Sequence, residues 1–314
     1  MMLHKDRKLF SDTIRAASQF LDIKLEFVEK DYWITLVLSS LAQSKYVDET
    51  VFKGGTSLSK GYALIDRFSE DVDIAVLNTV DKSGNVIKNL IRAVEKQITS
   101  ELEEIIVDGV TNKGSRFRKS VYGYDPIEKG NESNKLIIEI NSFANPFPNK
   151  VHEIKSMVAI FLQDSGNKHY IDKYNLQPFQ INVLQKEQTL LEKLVSLIRV
   201  SYEENAVLGI SEKIRHFYDI YYLMEQKECR ALVDSMLFKE QFHLLLEHDK
   251  ALFQEPSGWV SKSLSDSPLV KDFPLIWEQV KARYQSELTG LAYRPIPEQD
   301  KVAACFTILL KAIV

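Results

Sequence analysis

The 314-residue sequence predicts an α/β amino-terminal domain followed by an all-α carboxy-terminal domain. Three observations carry that fold class. Segments that alternate polar and apolar residues, the period of a half-buried strand, are confined to the first part of the chain. From about residue 181, apolar residues recur at helical spacing in one segment after another. Between the two lies Gln177-Pro178, which breaks regular structure and sets the expected division into residues 1–178 and 179–314.

The elements follow in order. Residues 5–21 and 28–43 have helical spacing, with Trp33, Val37 and Leu41 on one face of the second. Residues 50–53 form a short strand into the Gly54-Gly55 turn. Thr56 or Ser57 is the expected cap of a helix reaching about Asp66. Residues 70–77 alternate as a strand, 81–85 (DKSGN) form a turn, and 86–104 form a helix. Strands are expected at 104–110, 115–124 and 135–143, and a shorter one near 152–161. The run from Asn145 to Asn149 carries two prolines and breaks any element. Helices are expected at 186–204, 211–227, 230–253, 272–289 and 298–313. The chain shows no internal repeat and no low-complexity tract.

Bulk chemistry narrows the function classes. Apolar residues make up 45% of the chain, enough for a substantial core. A net charge of −4 excludes a surface coated in basic residues, though not a local basic groove. The two cysteines, Cys229 and Cys305, have no metal-like spacing and favour a reducing cytoplasm. The first residues lack the apolar core of a signal peptide, and no apolar run reaches the ~18–20 residues of a membrane span.

The chemistry concentrates in residues 53–76, KGGTSLSKGYALIDRFSEDVDIAV. On a strand, Asp71 and Asp73 share one face, while Val72, Ile74 and Val76 share the other. Two carboxylates ~4 Å apart at an effective dielectric of ~20 repel by about 4 kcal/mol, and a divalent cation reverses that sign. Mg²⁺ is held in this manner, by one or two carboxylates together with substrate phosphates. Gly54 and Gly55 permit close backbone approach to a ligand, and the following helix start favours phosphate. Thr56 and Ser57 add hydroxyl donors. A phosphate cradle followed by metal carboxylates suits phosphoryl or nucleotidyl transfer. The competing readings are a plain turn and a solvated strand edge.

A third carboxylate is available. In Lys135–Asn141, Glu139 faces away from Leu136, Ile138 and Ile140, and pairing beside 70–77 would join it to Asp71 and Asp73. Three carboxylates suit two metal ions clamping an in-line displacement.

The stretch Gly54-Gly55-Thr56-Ser57-Leu58-Ser59-Lys60, followed by Arg67-Phe68-Ser69-Glu70-Asp71-Val72-Asp73-Ile74, resembles the nucleotidyltransferase signature of the AbiEii toxin family. Leu191-Glu192-Lys193-Leu194-Val195-Ser196-Leu197 resembles that family's lysine motif, and Arg215-His216-Phe217-Tyr218-Asp219 its last motif. The resemblance runs from about 50 to 225; residues 230–314 carry no matching motif. It implies a polymerase β-like mixed sheet with helices, Mg²⁺ or Mn²⁺, an NTP substrate and an RNA acceptor, specifically the tRNA 3′ end. It also implies growth inhibition restrained by a cognate antitoxin. Asp71, Asp73, Lys193 and Asp219 are then the catalytic candidates, with metal on Asp71, Asp73 and Glu139. Gly54, Gly55, Thr56, Ser57, Lys60 and Arg67 are the nucleotide-binding candidates.

The physical readings of the remaining residues stay open beside that resemblance. Lys193 lies between Leu190 and Leu197 on a covered face and needs a partner: a phosphate, an aspartate, or solvent reached by snorkelling. Asp219 has an i,i+4 neighbour in Arg215. In the family's terms it either orients Lys193 or serves as a base. Lys60 and Arg67 meet triphosphate charge or form salt bridges. Arg116, Arg118 and Lys119, with Phe117 and Tyr122, form either an acceptor-binding strip or a solvated strand face. Two rival functions are a nucleotidyltransferase for proteins or small molecules, and a degenerate module that only binds antitoxin.

Overall fold

The computed structural model describes every residue except 70, 78–81, 129–133 and 145. Glu70, Asp81 and Asn145, which the sequence places in a strand, a turn and a proline-rich break, lie outside the described residues. The described chain divides into two compact units, Met1–Ala63 with Phe68–Leu184, and Leu64–Arg67 with Gln185–Val314.

The first unit is a mixed sheet with helices. Its elements are α1 (Arg7–Leu21), α2 (Leu25–Ala42), β1 (Thr50–Lys53), α3 (Gly54–Lys60), β2 (Asp71–Val76) and α4 (Gly84–Ile98). There follow β3 (Glu103–Ile105), β4 (Asn112–Lys113), β5 (Phe117–Gly123), β6 (Lys135–Asn141), β7 (Asn149–Ile154), α5 (Met157–Asp164), α6 (His169–Lys173) and β8 (Phe179–Leu184). The strand order is β3-β5-β6-β2-β1-β8-β7, with β4 on β5. β2 is central: it runs antiparallel to β1 and parallel to β6. Its alternation sends Val72, Ile74 and Val76 into the core, where all three are buried. On α2 the burial runs through Phe27–Thr35 and onward to Leu41, so charged residues in its first turns are enclosed as well.

Several boundaries differ from the sequence expectation. The helix after the glycines ends at Lys60, not near Asp66. Ala63 takes a left-handed φ of 51°, and the next residues leave this unit. Nor do Thr56 and Ser57 cap that helix: it begins at Gly54, and the cap position is Lys53 with no side-chain bond. The stretch 152–161 is not one strand, because the Ser156 hydroxyl accepts from Ala159 N at 3.0 Å and starts α5. Strand β8 lies beyond the break at Pro178 and pairs with β1 and β7, so the sheet unit extends to Leu184.

The second unit is helical: α7 (Lys186–Val200), α8 (Ala206–Glu212), α9 (Arg215–Met224), α10 (Lys227–Val233), α11 (Met236–Leu252), α12 (Pro268–Leu291) and α13 (Gln299–Ile313). The expected helices at 211–227 and 230–253 are each two, broken at 213–214 and 234–235. Phe217, Phe273, Trp277 and Phe306 form an aromatic core between α9, α12 and α13, with ring centroids 4.7–6.1 Å apart. α12 kinks at Asp272, whose backbone is non-helical two residues before Pro274. The Asp272 carboxylate accepts from Leu275 N at 3.2 Å and restarts the helix.

The buried charges of α2 are held within the sheet unit. Asp31 bonds the Lys60 ammonium through Oδ1 and accepts from Met157 N through Oδ2 at 2.7 Å, tying together α2, α3 and α5. Glu29 accepts from Ile127 N at 2.9 Å. Burial raises its pKa to about 7, against the pull of that hydrogen bond and of the Arg7 charge. A folded pKa above the unfolded one gives stability that is full below the unfolded value and is lost as pH rises through the folded one. The Glu29 contribution therefore disappears between about pH 4.5 and about pH 7. Glu29→Gln keeps an acceptor for Ile127 N, and urea unfolding should show it more stable than wild type at pH 8 by roughly 3 kcal/mol, with no gain below about pH 4.5.

Candidate active site

The candidate site begins with one row of residues across the sheet. Lys53 on β1 lies opposite Asp73 on β2, Asp73 beside Glu139 on β6, and Glu139 opposite Lys119 on β5. Laterally paired residues project from the same face, so the row reads cation, anion, anion, cation. Asp71 shares the face two residues away, and both aspartates are half-buried. Glu139 is thus the register neighbour of Asp73, as the sequence required for a third carboxylate.

Glu139 is not idle in that position. Its Oε1 receives the Lys119 ammonium at 2.7 Å. Burial pushes the Lys119 pKa down; the hydrogen bond and charge of Glu139, with the fields of Asp71 and Asp73, outweigh it and hold the pKa above its ordinary value. A cation therefore already stands in the joint field of the three carboxylates. Among the described residues, no three His, Cys, Asp or Glu side chains are gathered as a ready-made metal cage.

Gly54 closes the row from β1. Its φ is +78°, and a Cβ there would lie 2.0 Å from Asp73 Oδ2. Only glycine lets the backbone come this near the carboxylate and take this conformation. Gly55 is already within the helix. The neighbouring hydroxyls turn inward rather than toward a ligand: Thr56 donates to Asp71 O, and Ser57 to Gly54 O at 2.8 Å. Both residues are buried. What this turn offers outward is backbone N–H, not the Thr56 and Ser57 hydroxyls.

The basic residues also differ from expectation. Lys60 is bonded to Asp31 and Arg67 to Asp219, so both take the salt-bridge alternative rather than standing as free cations for a triphosphate. Arg118 is buried, with Nε 2.6 Å from Glu95 Oε2. With Lys119 on Glu139, only Arg116 of the basic strip is exposed, and Tyr122 is buried. The strip is therefore not a wholly solvated strand face: Arg118 is enclosed, while Arg116 stays exposed and Lys119 partly so.

The helical unit holds a second charged cluster, around Asp219. Arg67 grips it bidentately, Nε to Oδ1 and Nη2 to Oδ2, each at 2.7 Å. Lys193 reaches Oδ2 at 2.7 Å. Of the three partners the sequence left open for Lys193, the aspartate is the one present. Arg215 does not pair with Asp219; its Nε lies 3.4 Å from Glu287 Oε1. Asp219 is fully buried, and although burial favours its neutral form, the two cations hold its pKa well below the usual carboxylate range. Burial, together with the Lys193 charge, keeps neighbouring His216 neutral.

The residues that sequence reasoning missed are Lys119 as the counter-charge of the row and Arg67 as a partner of Asp219. Alternation within 115–124 puts Lys119 on a definite face, but which strand lies opposite is a matter of sheet order. Gly54→Ala meets both the positive φ and the Asp73 carboxylate. It should lower stability by about 1 kcal/mol or more in urea unfolding and displace Asp73, whereas the same change at exposed Gly84, which has nothing within 4 Å, should leave both alone.

A model of the family described as nucleotidyl transferase AbiEii toxin, type IV toxin–antitoxin system, matches residues 36–304. Among solved structures the chain is similar to MenT4, a nucleotidyltransferase toxin from Mycobacterium tuberculosis, at 16% identity and a TM-score of 0.49 over 96% of this chain and 97% of that one. It is also similar to JHP933 from Helicobacter pylori, at 16% identity and a TM-score of 0.43 over 90% of this chain and 88% of that one. An alignment of 171 positions, covering 51% of this chain and 37% of the other, is 23% identical to the intermediate filament protein ifd-2 of Caenorhabditis elegans. The family match reaches from α2 into α13, and on that extent the chain belongs to the AbiEii family of nucleotidyltransferase toxins of type IV toxin–antitoxin systems.

Proposed function

We propose that the chain moves a nucleoside monophosphate from an NTP to an acceptor hydroxyl, with a divalent cation, Mg²⁺ or Mn²⁺, held at Asp71 and Asp73. The observation that carries this reading is the approach of the Gly54 backbone to Asp73, so close that a Cβ would overlap the carboxylate. A phosphate turn pressed against a metal-binding side chain is what transfer from a triphosphate needs. The donor set fits such an ion: all three acidic residues offer hard oxygen, and their field already attracts the Lys119 ammonium. When bound, the ion would supply charge neutralisation on the phosphates and activation of the acceptor oxygen.

The chain's own residues would do the rest. Asp71 and Asp73 hold the ion, and Glu139 joins them as Lys119 yields. Gly54, Gly55, Thr56 and Ser57 face the phosphates through backbone N–H groups. Lys193 contributes positive charge for the phosphates, since catalysis of this class is mostly positioning and electrostatics. Asp219, bound by two cations and far from protonation, orients Lys193 and is not a base. The mixed sheet would then be a polymerase β-like catalytic core and the helical unit a separate domain.

The family favours an RNA acceptor, in its specific form the tRNA 3′ end, a cognate antitoxin as partner and action in the cytoplasm. No helix among the described residues is long and apolar enough to cross a membrane. One observation favours a second reading, transfer to a protein or small molecule: Arg118 is enclosed on Glu95, which leaves fewer cations of the basic strip to serve RNA. Incubation with each labelled NTP, Mg²⁺, and either total RNA or cell protein separates the two by the fraction that gains label. Label in RNA is expected. Asp71→Ala and Asp73→Ala should each lose about 100-fold or more of the transfer rate. If the two variants arrested growth as strongly as wild type, the catalytic reading would be wrong.

A further inference from the structure

Lys119 is bonded to a residue that the proposed transfer would use: its ammonium lies 2.7 Å from Glu139 Oε1. The sheet order fixes what this contact does. β6 lies between β2 and β5, so Lys119 and Asp73 flank Glu139 on opposite sides of it in the row. A bond to Lys119 draws the Glu139 carboxylate toward β5 and away from the aspartates. That pull accounts for a mismatch within the row. Glu139 is the register partner of Asp73, yet among the described residues no three His, Cys, Asp or Glu side chains gather as a cage.

The pair is also able to open. Lys60 with Asp31 and Arg118 with Glu95 are closed pairs of the same unit, with side chains 7–9% exposed. Lys119 and Glu139 are 30% and 23% exposed. An ammonium leaving a closed pair strands two charges in a dry interior, at high cost. Lys119 can leave Glu139 for water, because its flexible stem carries the ammonium outward while the methylenes stay against the sheet. The next position of the row is Asn112 on β4, an exposed amide with no charge to repel or trap the ammonium. A charge-assisted hydrogen bond in so half-open a place is worth about 10-fold in an equilibrium constant. Glu139 is then free about one-tenth of the time, and an ion that needs it binds about 10-fold more weakly than it would without Lys119.

We infer that Lys119 sets the affinity of the acidic row for a divalent cation: it competes for Glu139, so the row gains the ion only by giving up an ion pair of its own. The inference rests on the divalent-cation reading of Asp71 and Asp73. In the nucleotide-free protein Glu139 stays with Lys119 when the ion is scarce. The third carboxylate is recruited when the ion is abundant or is delivered with phosphate oxygens already on it.

The test measures Mn²⁺ binding to the full, nucleotide-free chain through the electron paramagnetic resonance signal of the free ion. Salt at about 0.3 M shortens the range of through-space repulsion. Lys119→Met removes the ammonium and keeps the stem, and should bind Mn²⁺ about 10-fold more tightly than wild type. In Glu139→Gln, where no carboxylate is left to compete for, adding Lys119→Met should change the affinity by less than about 3-fold. Asp73→Ala should lose the ion, which locates it on the row. Equal tightening with and without Glu139 would mean plain charge repulsion and would overturn the inference. Unchanged or weaker binding in Lys119→Met would overturn it too. Should that variant fail to fold, Lys119→Val, which favours a strand and carries no donor, decides by the same criteria. If wild type and Lys119→Met both ignored Mn²⁺, or if Asp73→Ala kept it, the cation reading itself would fall and this inference with it. Failure of the inference alone leaves wild-type binding at the row intact.

Discussion

The structure of the sheet unit turns on holding two carboxylates side by side at its centre. Asp73 and Glu139 sit on adjacent parallel strands, and strand spacing fixes their backbones about 4.8 Å apart whatever the side chains prefer. At an effective dielectric of ~20, two charges about 5 Å apart repel by roughly 3 kcal/mol, comparable to the benefit of burying a large apolar side chain. The surroundings of the row answer that repulsion. Lys119 bonds one carboxylate, Lys53 flanks the other in register, and Val72, Ile74, Ile138 and Ile140 bury the opposite face so that the strands cannot slip. A slip of one residue on β2 would carry both aspartates into the core.

The other ionic contacts follow a similar logic of enclosure. Asp31 gathers the end of α3 and the start of α5 on its two oxygens. Glu95 takes Arg118 on one oxygen and the Ser120 hydroxyl on the other. Asp219 takes Arg67 and Lys193. Each is a buried acid between cations or donors contributed by distant parts of the sequence. These contacts lend little net stability over apolar packing, but they specify which elements meet. They also consume basic residues that a reader of the sequence would assign to ligands.

That consumption marks the limit of what the sequence shows. Local pattern was enough for β2, β5 and β6, because alternation is a property of the strand itself, and for the paired glycines before them. It placed Asp71 and Asp73 on one face and made Glu139 a conditional third. The condition was strand order, which is a long-range fact and not written in any window. The same limit applies to Lys60, Arg67 and Arg118, whose partners lie 29, 152 and 23 residues away. It applies to β8, whose alternation is short and follows a proline, and to Thr56, whose hydroxyl is used by the Asp71 carbonyl of the neighbouring strand. Where the sequence offered a ligand or a salt bridge for a cation, the low dielectric of a covered face decided for the bridge.

The Leu64–Arg67 segment bears on biosynthesis. Because this unit is not continuous in the chain, ribosomes release four of its residues long before the helices that receive them. Asp219 follows Arg67 by 152 residues, which at about 5–20 residues per second is a delay of roughly 8–30 s. During that interval a guanidinium destined for a dry interior waits in water beside a nascent sheet. A carboxy-terminal fragment made by itself would never acquire it, so the helical half of this protein is complete only as part of the whole.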